Sequence, residues 1–287
     1  MTDRVSKAVL ITGCSTGIGR ATALRLTAAG HPVFATARRT ESIADLASAG
    51  CTVLACDVTD ETSMRAAVES VEKSAGAVGA LVNNAGYGSE GPIEEVPMDE
   101  VRRQFETNVF GLARMCQLVL PGMRRQGFGR IVNLSSMGGR MTLPGGGFYH
   151  ATKYAVEALS DALRFEVRGF GVDVVVIEPG AIKTEFGNTA IDKIEASASP
   201  GSPHGKFRDV LKQQIRGAYE GPMARLAGVP DDVAKAIEKA ITAKRPRTRY
   251  LVTAGAHIFV TARRVLGDRG FDAMMRTQFP TPGVEGN

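Results

Sequence analysis

A chain of 287 residues with 44% apolar side chains is long enough for one large α/β domain with an ample core. Its four cysteines, Cys14, Cys51, Cys56 and Cys116, form no C-x-x-C pair and share no ligand spacing with the four histidines. That excludes a disulfide framework and a zinc site as first readings; no metal is expected, and a reducing compartment is. The net charge of +5 resides in residues 244–287, where eight Lys/Arg face three Asp/Glu, so the other 243 residues sum to zero. A nucleic-acid binder would carry a wider basic face, and no nucleic-acid partner is expected. The polar start M-T-D-R-V-S-K and the lack of any 18-residue apolar run point to a cytoplasmic protein.

In chain order, an apolar run at 7–12 ends in G-C-S-T-G-I-G and is followed by a helical stretch closed by Gly30. A strand at 33–37, a helix near 41–49, a strand at 52–58 and a helix at about 60–75 come next. Then follow a strand at 80–86, a long helix within 97–126, a strand at 130–136, a helix from Tyr149 to about Arg168 and a strand at 172–180. The strands are continuous Val/Ile/Leu runs, as expected where helices cover both faces of a sheet. Such strict alternation predicts a doubly wound parallel sheet. The Ser/Pro/Gly-rich stretch 187–205 predicts a mobile loop. Helical patterns follow at 206–219 and 231–243, with a last strand at 249–253 and an amphipathic segment at 256–266. No composition break divides the chain. The expectation is one domain over 1–287, with a cofactor-binding and catalytic core at 1–185, a substrate lid at 186–230, and C-terminal helices and the last strand at 231–287.

Two constellations carry chemistry. Gly13-x-x-x-Gly17-x-Gly19 directly follows a strand and opens a helix. Glycines permit a tight turn and close backbone approach, while the helix N-terminus offers free N–H groups to a pyrophosphate. Tyr149 and Lys153 lie one helical turn apart on one face. An ammonium near a phenol would lower its pKa toward the range that proton transfer needs near neutrality. Alone, such a pair is also compatible with an exposed tyrosine above a solvated lysine.

With T-G-C-S-T-G-I-G (12–19), N-N-A-G (83–86), Asn108 in T-N-V-F-G, Ser136, Y-H-A-T-K (149–153) and P-G (179–180) in order, residues 5–185 resemble a classical short-chain dehydrogenase/reductase. The resemblance implies a Rossmann fold with a C-terminal helical lid and extension, and a homodimer or homotetramer. It implies Tyr149 as proton donor or acceptor, and Lys153 as ligand of the nicotinamide ribose that lowers the Tyr149 pKa. Ser136 rather than Ser135 would hold the substrate oxygen, and Asn108 would hold a water linking Lys153 to solvent. Tyr154 would be structural, and Tyr87 is equally a cleft residue or an ordinary loop tyrosine. The cofactor would be held by Gly13, Ser15, Thr16, Gly17, Ile18 and Gly19. Further contacts would come from Asp57 and Val58 at the adenine, Asn84, Ala85 and Gly86 at the adenosine ribose, and Pro179, Gly180, Ile182 and Thr184 at the nicotinamide end.

An enzyme using NAD places a carboxylate at the end of the second strand, where this chain has Ala37 followed by Arg38 and Arg39. A guanidinium binds a 2′-phosphate through charge-assisted bonds, so NADP(H) is expected over NAD(H), with Arg38 as main contact and Arg39 beside it. Met141, Leu143, Phe148, Phe186, Phe207, Tyr219 and Met223 predict a largely apolar substrate cleft for a steroid-, retinoid- or lipid-like carbonyl or alcohol. The R-P-R-T-R-Y-L-V-T segment with its following helix is weakly similar to the hydroxysteroid/retinol dehydrogenase branch. Alternative readings are a non-catalytic dinucleotide sensor of the same fold, expected to lose Tyr149, Lys153 or Ser136, and a membrane-surface protein resting on Arg263 and Arg264.

Overall fold

The computed structural model describes residues 5–197 and 201–284, with the side chains of Pro222 and Met223 left aside. Among the described residues, seven strands form one sheet: Val9–Ile11 (β1), Val33–Ala37 (β2), Thr52–Ala55 (β3), Ala80–Asn83 (β4), Gly129–Leu134 (β5), Val172–Pro179 (β6) and Arg249–Val252 (β7). Their order is β3-β2-β1-β4-β5-β6-β7, every pair parallel. The helices are Gly17–Ala28 (α1), Ala44–Ser48 (α2), Glu61–Ala75 (α3), Met98–Phe105 (α4), Leu112–Arg125 (α5), Gly147–Val167 (α6), Phe186–Ala196 (α7), Gly205–Glu220 (α8), Pro230–Thr242 (α9) and Ala254–Arg276 (α10).

The two-residue period of a strand sorts the core. Val9 and Ile11 face one side, where Leu26 of α1, Leu46 of α2, and Val233 and Ile237 of α9 close over them. Leu10, Leu81 and Ile131 face the other, beneath Val68 of α3, Met115 and Val119 of α5, and Val156 of α6. The winding reverses between β1 and β4. Loops leaving these two strands diverge, and a crevice opens at their C-terminal ends.

Three segments depart from the expected elements. The long helix within 97–126 is interrupted by a π-helical turn, Glu106–Gly111, between α4 and α5. There Gly111 lies so close to the Val58 carbonyl that an added Cβ would collide with it. The stretch 187–205 is not simply a loop, because α7 occupies its first half and buries Gly187, Ala190, Ile191 and Ile194 at helical spacing. Its Ser/Pro/Gly composition describes only the part beyond the helix. α10 continues past residue 266 to Arg276, turning at Gly267, whose φ of 61° a side chain would resist.

Part of the C-terminal basic surplus is structural. Arg249 on β7 donates from Nε to Glu157 Oε2 at 3.0 Å, reaches Glu178 Oε1 at 3.2 Å, and bonds both carboxylate oxygens of Asp161 at 2.7 Å. Arg140 adds a 2.9 Å contact to Glu178. Glu157 and Glu178 are buried, so this one guanidinium binds the sheet edge to the back of α6. Arg263 pairs with Asp268 and lies 5.5 Å over the Phe271 ring. Among the described residues, no helix is long and apolar enough to cross a membrane.

Removing the guanidinium leaves the buried Glu157 without its cation and Glu178 with Arg140 alone. Arg249→Met should lower unfolding stability in urea by about 3–5 kcal/mol. A loss under about 1 kcal/mol would show that these carboxyls neutralise or find other partners without it.

Candidate active site

The glycine loop is locked to the loop after β4. Gly13 takes a φ of 72°, and an added Cβ would lie 2.9 Å from the Ala85 backbone. Thr12 Oγ1 accepts from the Asn84 and Ala85 N–H groups at 3.0 Å each. Asn84 Nδ2 donates back to the Thr12 and Gly13 carbonyls at 2.9 Å. The Asn84 amide nitrogen is therefore spent on holding the glycine loop, while Ala85 and Gly86 present backbone to the crevice. Gly19 does not line the crevice; it is the position where an added Cβ would strike the Gly13 carbonyl and the Asn84 amide. α1 begins at Gly17 with no side-chain cap from Thr16, leaving its first-turn N–H groups available to an anion.

The crevice is a cavity of about 1210 Å³. Gly13, Ser15, Thr16, Gly17 and Ile18 line one end of it with Arg38, Asp57 and Val58. This glycine-backed cradle with an open helix terminus fits a dinucleotide, and Arg38 stands exposed at its rim at the end of β2. Arg39 does not face the cavity; its carbonyl accepts from Ser42 Oγ at 2.7 Å and starts the next helical turn. Asp57 Oδ1 is bonded by the N–H and hydroxyl of Thr59 at 2.9 and 2.8 Å, which fixes its carboxylate at the rim.

Deeper in the cavity, Ser136, Tyr149 and Lys153 come together. Ser136 Oγ accepts from Gly138 N at 3.0 Å and donates to Pro179 O at 3.4 Å, tying the ends of β5 and β6. Ser135 Oγ is turned toward Gly139, where an added Cβ would lie 2.6 Å from it. Tyr149 stands on the first turn of α6, its ring tilted against Phe186 at 5.3 Å and His150 at 5.6 Å between ring centroids. The Lys153 ammonium lies 5.7 Å from the Tyr149 ring and donates to the Leu134 carbonyl at 2.9 Å. Burial pulls the Lys153 pKa down to about 8, with Glu157, one turn further along α6, acting in the opposite direction. Burial also pushes the Tyr149 phenol above the ordinary tyrosine range, opposed by Ser136 and reinforced by the charge of Glu90. In the protein alone, loss of water around the phenol outweighs the hydrogen bond from Ser136.

Asn108 sits in the π-helical turn, buried behind Gly86. Its Nδ2 donates to Tyr87 O at 2.9 Å and Thr152 Oγ1 at 3.1 Å, and its Oδ1 accepts from Tyr87 N at 3.1 Å. Both amide hydrogens serve protein groups, so only the spare lone pair of Oδ1 could receive a water. Thr184 shapes the other wall: its hydroxyl donates to Ile182 O at 3.3 Å and accepts from Phe186 N at 3.2 Å, starting α7. Thr253, absent from the expected residues, is the one non-glycine with positive φ among the described residues, at 91°. Its hydroxyl accepts from Ala256 N at 3.2 Å and leaves no room for a Cβ at Gly180. A lone threonine carries no sequence sign of that backbone conformation.

The remaining cavity wall is mostly apolar, with Leu143, Phe186, Leu211, Ile215, Tyr219 and Phe259 facing it. Tyr87 lines it too, while Tyr154 is exposed on the outer face of α6. Of the other residues expected there, Met141 packs with Phe271 and Met275 outside the cavity. Phe207 packs with Ile194 and Leu211, Phe148 does not reach the wall, and the Met223 side chain lies outside those described. Alternation and apolarity nominate core and cleft residues alike, and only packing separates them. Missed altogether were His150 and Glu90. His150 accepts from Leu143 N at 3.2 Å and is held neutral, its pKa pulled by burial to about 4.

The family model for short chain dehydrogenase matches residues 7–195. An uncharacterized oxidoreductase of Escherichia coli (strain K12), YbbO, is 34% identical over 273 residues, covering 95% of each chain. The NADPH-dependent 3-dehydrocapnine reductase of Ornithobacterium rhinotracheale is 36% identical, over 92% of this chain and 94% of that one. Among solved structures, a short-chain dehydrogenase from Streptomyces avermitilis superposes with a TM-score of 0.79 at 34% identity, covering 95% of both chains. A serine dehydrogenase complexed with NADP+ gives 0.74 at 28% identity over 86% of this chain and 95% of that one. A dehydrogenase from Burkholderia phymatum in complex with NAD gives 0.77 at 25% identity over the whole of both chains. The parallel sheet, the glycine cradle and these matches together establish that the chain is an oxidoreductase belonging to the short-chain dehydrogenase family.

Proposed function

We propose that the chain is an NADP(H)-dependent oxidoreductase moving a hydride between nicotinamide and a carbonyl or alcohol on a bulky, largely apolar substrate. The observation that carries this reading is the convergence of Ser136, Tyr149 and Lys153 where a glycine-backed cradle meets an apolar chamber. The bound nicotinamide supplies the hydride to the carbonyl carbon in reduction and takes it back in oxidation. In reduction the Tyr149 hydroxyl gives its proton to the carbonyl oxygen, so C=O becomes CH–OH and a tyrosinate remains to be reprotonated. Ser136 holds that oxygen through its hydroxyl. Lys153, ionised, offsets the charge left on Tyr149 and is placed to hold ribose hydroxyls. Asn108 acts as a positioning residue for the Tyr87 loop and, with its spare lone pair, for a water at Lys153.

The preference for NADP(H) is supported by Arg38 at the cavity rim with no acid at the end of β2, and by the cofactor named for the O. rhinotracheale relative. The segment 186–230 acts as a lid, with α7 and α8 supplying Phe186 and Tyr219. A homodimer or homotetramer would cover Phe110, Tyr154 and Phe165, which stand exposed on the π-helical turn and α6.

Tyr149→Phe should lower kcat by at least about 100-fold while NADPH still binds, as read by cofactor fluorescence. Turnover near that of the natural enzyme would remove Tyr149 from proton transfer. Arg38→Asp should raise the NADPH Kd by roughly 10- to 100-fold and leave NADH nearly unaffected. An unchanged NADPH/NADH ratio would end the phosphate assignment. Lys153 is driven from 10.5 in the unfolded chain to about 8 in the fold. Between those pH values the unfolded chain binds more protons, so folding stability should rise with pH across the window. Relative to Lys153→Met, the natural protein should therefore gain stability as the pH rises from 8 toward 10.5, by an amount on the order of 3 kcal/mol over the window. Parallel stability–pH curves for the two proteins would contradict this.

A further inference from the structure

The loop between β4 and α4 carries three glutamates with different fates. Glu94 bonds His204 Nε2 at 2.5 Å, and Glu95 pairs with Arg208 at 2.5 Å and accepts from Ser202. Both tie this loop to the start of α8. Glu90 has no hydrogen bond and no ion pair among the described residues, and its side chain lines the cavity beside Tyr149, Phe186 and Tyr219. It does not stand on a loose segment. Gly91 N donates to Gly145 O at 2.7 Å, and Gly88 is pressed on the Phe186 ring, where an added Cβ would lie 2.6 Å from Cζ.

The cations that face the same cavity are engaged elsewhere. Lys153 donates to Leu134 O, Lys193 pairs with Glu100 at 2.9 Å, and Arg103 pairs with Asp99 and Glu100 at 2.7 Å each. Arg38 stands at the dinucleotide end, and His150 is neutral. A half-buried carboxyl in an apolar chamber with no compensating charge is costly as an anion, and burial pushes the Glu90 pKa up to about 7. Its negative charge reaches the phenols of Tyr149 and Tyr219 and raises both.

We propose that Glu90 receives a primary ammonium carried by the substrate on a carbon near its reacting carbonyl, so that the substrate class is an amphiphilic amino ketone, or the amino alcohol in the reverse direction. This inference rests on the carbonyl–alcohol reading above. A hydroxyl would donate one bond and leave the carboxylate charge in place, whereas an ammonium cancels the charge and donates up to three bonds. Charge cancellation also removes the pressure Glu90 exerts on Tyr149, so the cognate substrate adjusts the proton donor as it binds. The remainder of the chamber, with Leu143, Leu211, Ile215 and Phe259, accepts an apolar tail.

The test compares a long-chain α-amino ketone with the same ketone lacking the amino group, using NADPH oxidation by the natural enzyme, Glu90→Gln and Glu90→Leu. The expected result is a ratio of kcat/KM, amino ketone over plain ketone, that falls roughly 10- to 100-fold in both variants. A ratio unchanged by both substitutions overturns the assignment of Glu90 while leaving ketone reduction intact. Calorimetry with decylamine and decanol reads the site without turnover. Amine binding that depends on Glu90 supports the ammonium site even if neither ketone is reduced, a result that would count against the reductase reading alone. Decylamine binding equally well to the natural protein and both variants overturns the site.

Discussion

The whole arrangement depends on how closely two loops approach at the switch point of the sheet. The Gly13 backbone lies against Ala85 at a separation that leaves no room for a side chain, and four hydrogen bonds join Thr12 and Gly13 to Asn84 and Ala85 across the gap. That contact backs the dinucleotide cradle. It also fixes the start of the β4 loop, which carries Gly86 against Asn108 and, further on, Glu90 into the substrate chamber. The glycine cradle, the Gly86–Asn108 contact beside Lys153 and the chamber wall at Glu90 are thus tied to one junction, and movement there would displace all three.

A second constraint is electrostatic. Lys153 is buried where its charge is disfavoured, and Tyr149 is buried where its neutral form is favoured. Glu157 pulls Lys153 back toward its ionised form, while Arg249 holds Glu157 together with Glu178 and Asp161. A strand at the sheet edge therefore bears on the charge state of a residue inside the cavity. Burial that costs stability is retained at the place where proton transfer would use it, as strained or desolvated groups elsewhere in proteins are.

The local segments were legible in the residues. Continuous Val/Ile runs, glycine punctuation and the Tyr149–Lys153 spacing located every strand, most helices and the main cavity motifs, because each depends on contacts a few residues apart. Less legible was any feature set by what packs across the chain. α7 was hidden by the Ser/Pro/Gly composition beyond it, although its buried face has helical spacing. The π-helical turn, the positive φ of Thr253 and the partition of Met141 and Phe207 away from the cavity have no local sign.

The sequence by itself determined the alternation of elements, and hence the parallel sheet, and it nominated the residues proposed to hold a dinucleotide and move a proton. Only the tertiary structure decided what those residues experience. It spent the Asn84 side-chain amide on the glycine loop and set Gly19 against it, directed Arg38 but not Arg39 to the cavity, and buried Tyr149 where loss of water pushes its pKa up. It also left Glu90 without a partner among the described residues while neighbouring Glu94 and Glu95 found theirs. The reason is that hydration and pairing are properties of a place in the fold, summed over groups distant in the chain, and no stretch of residues contains them.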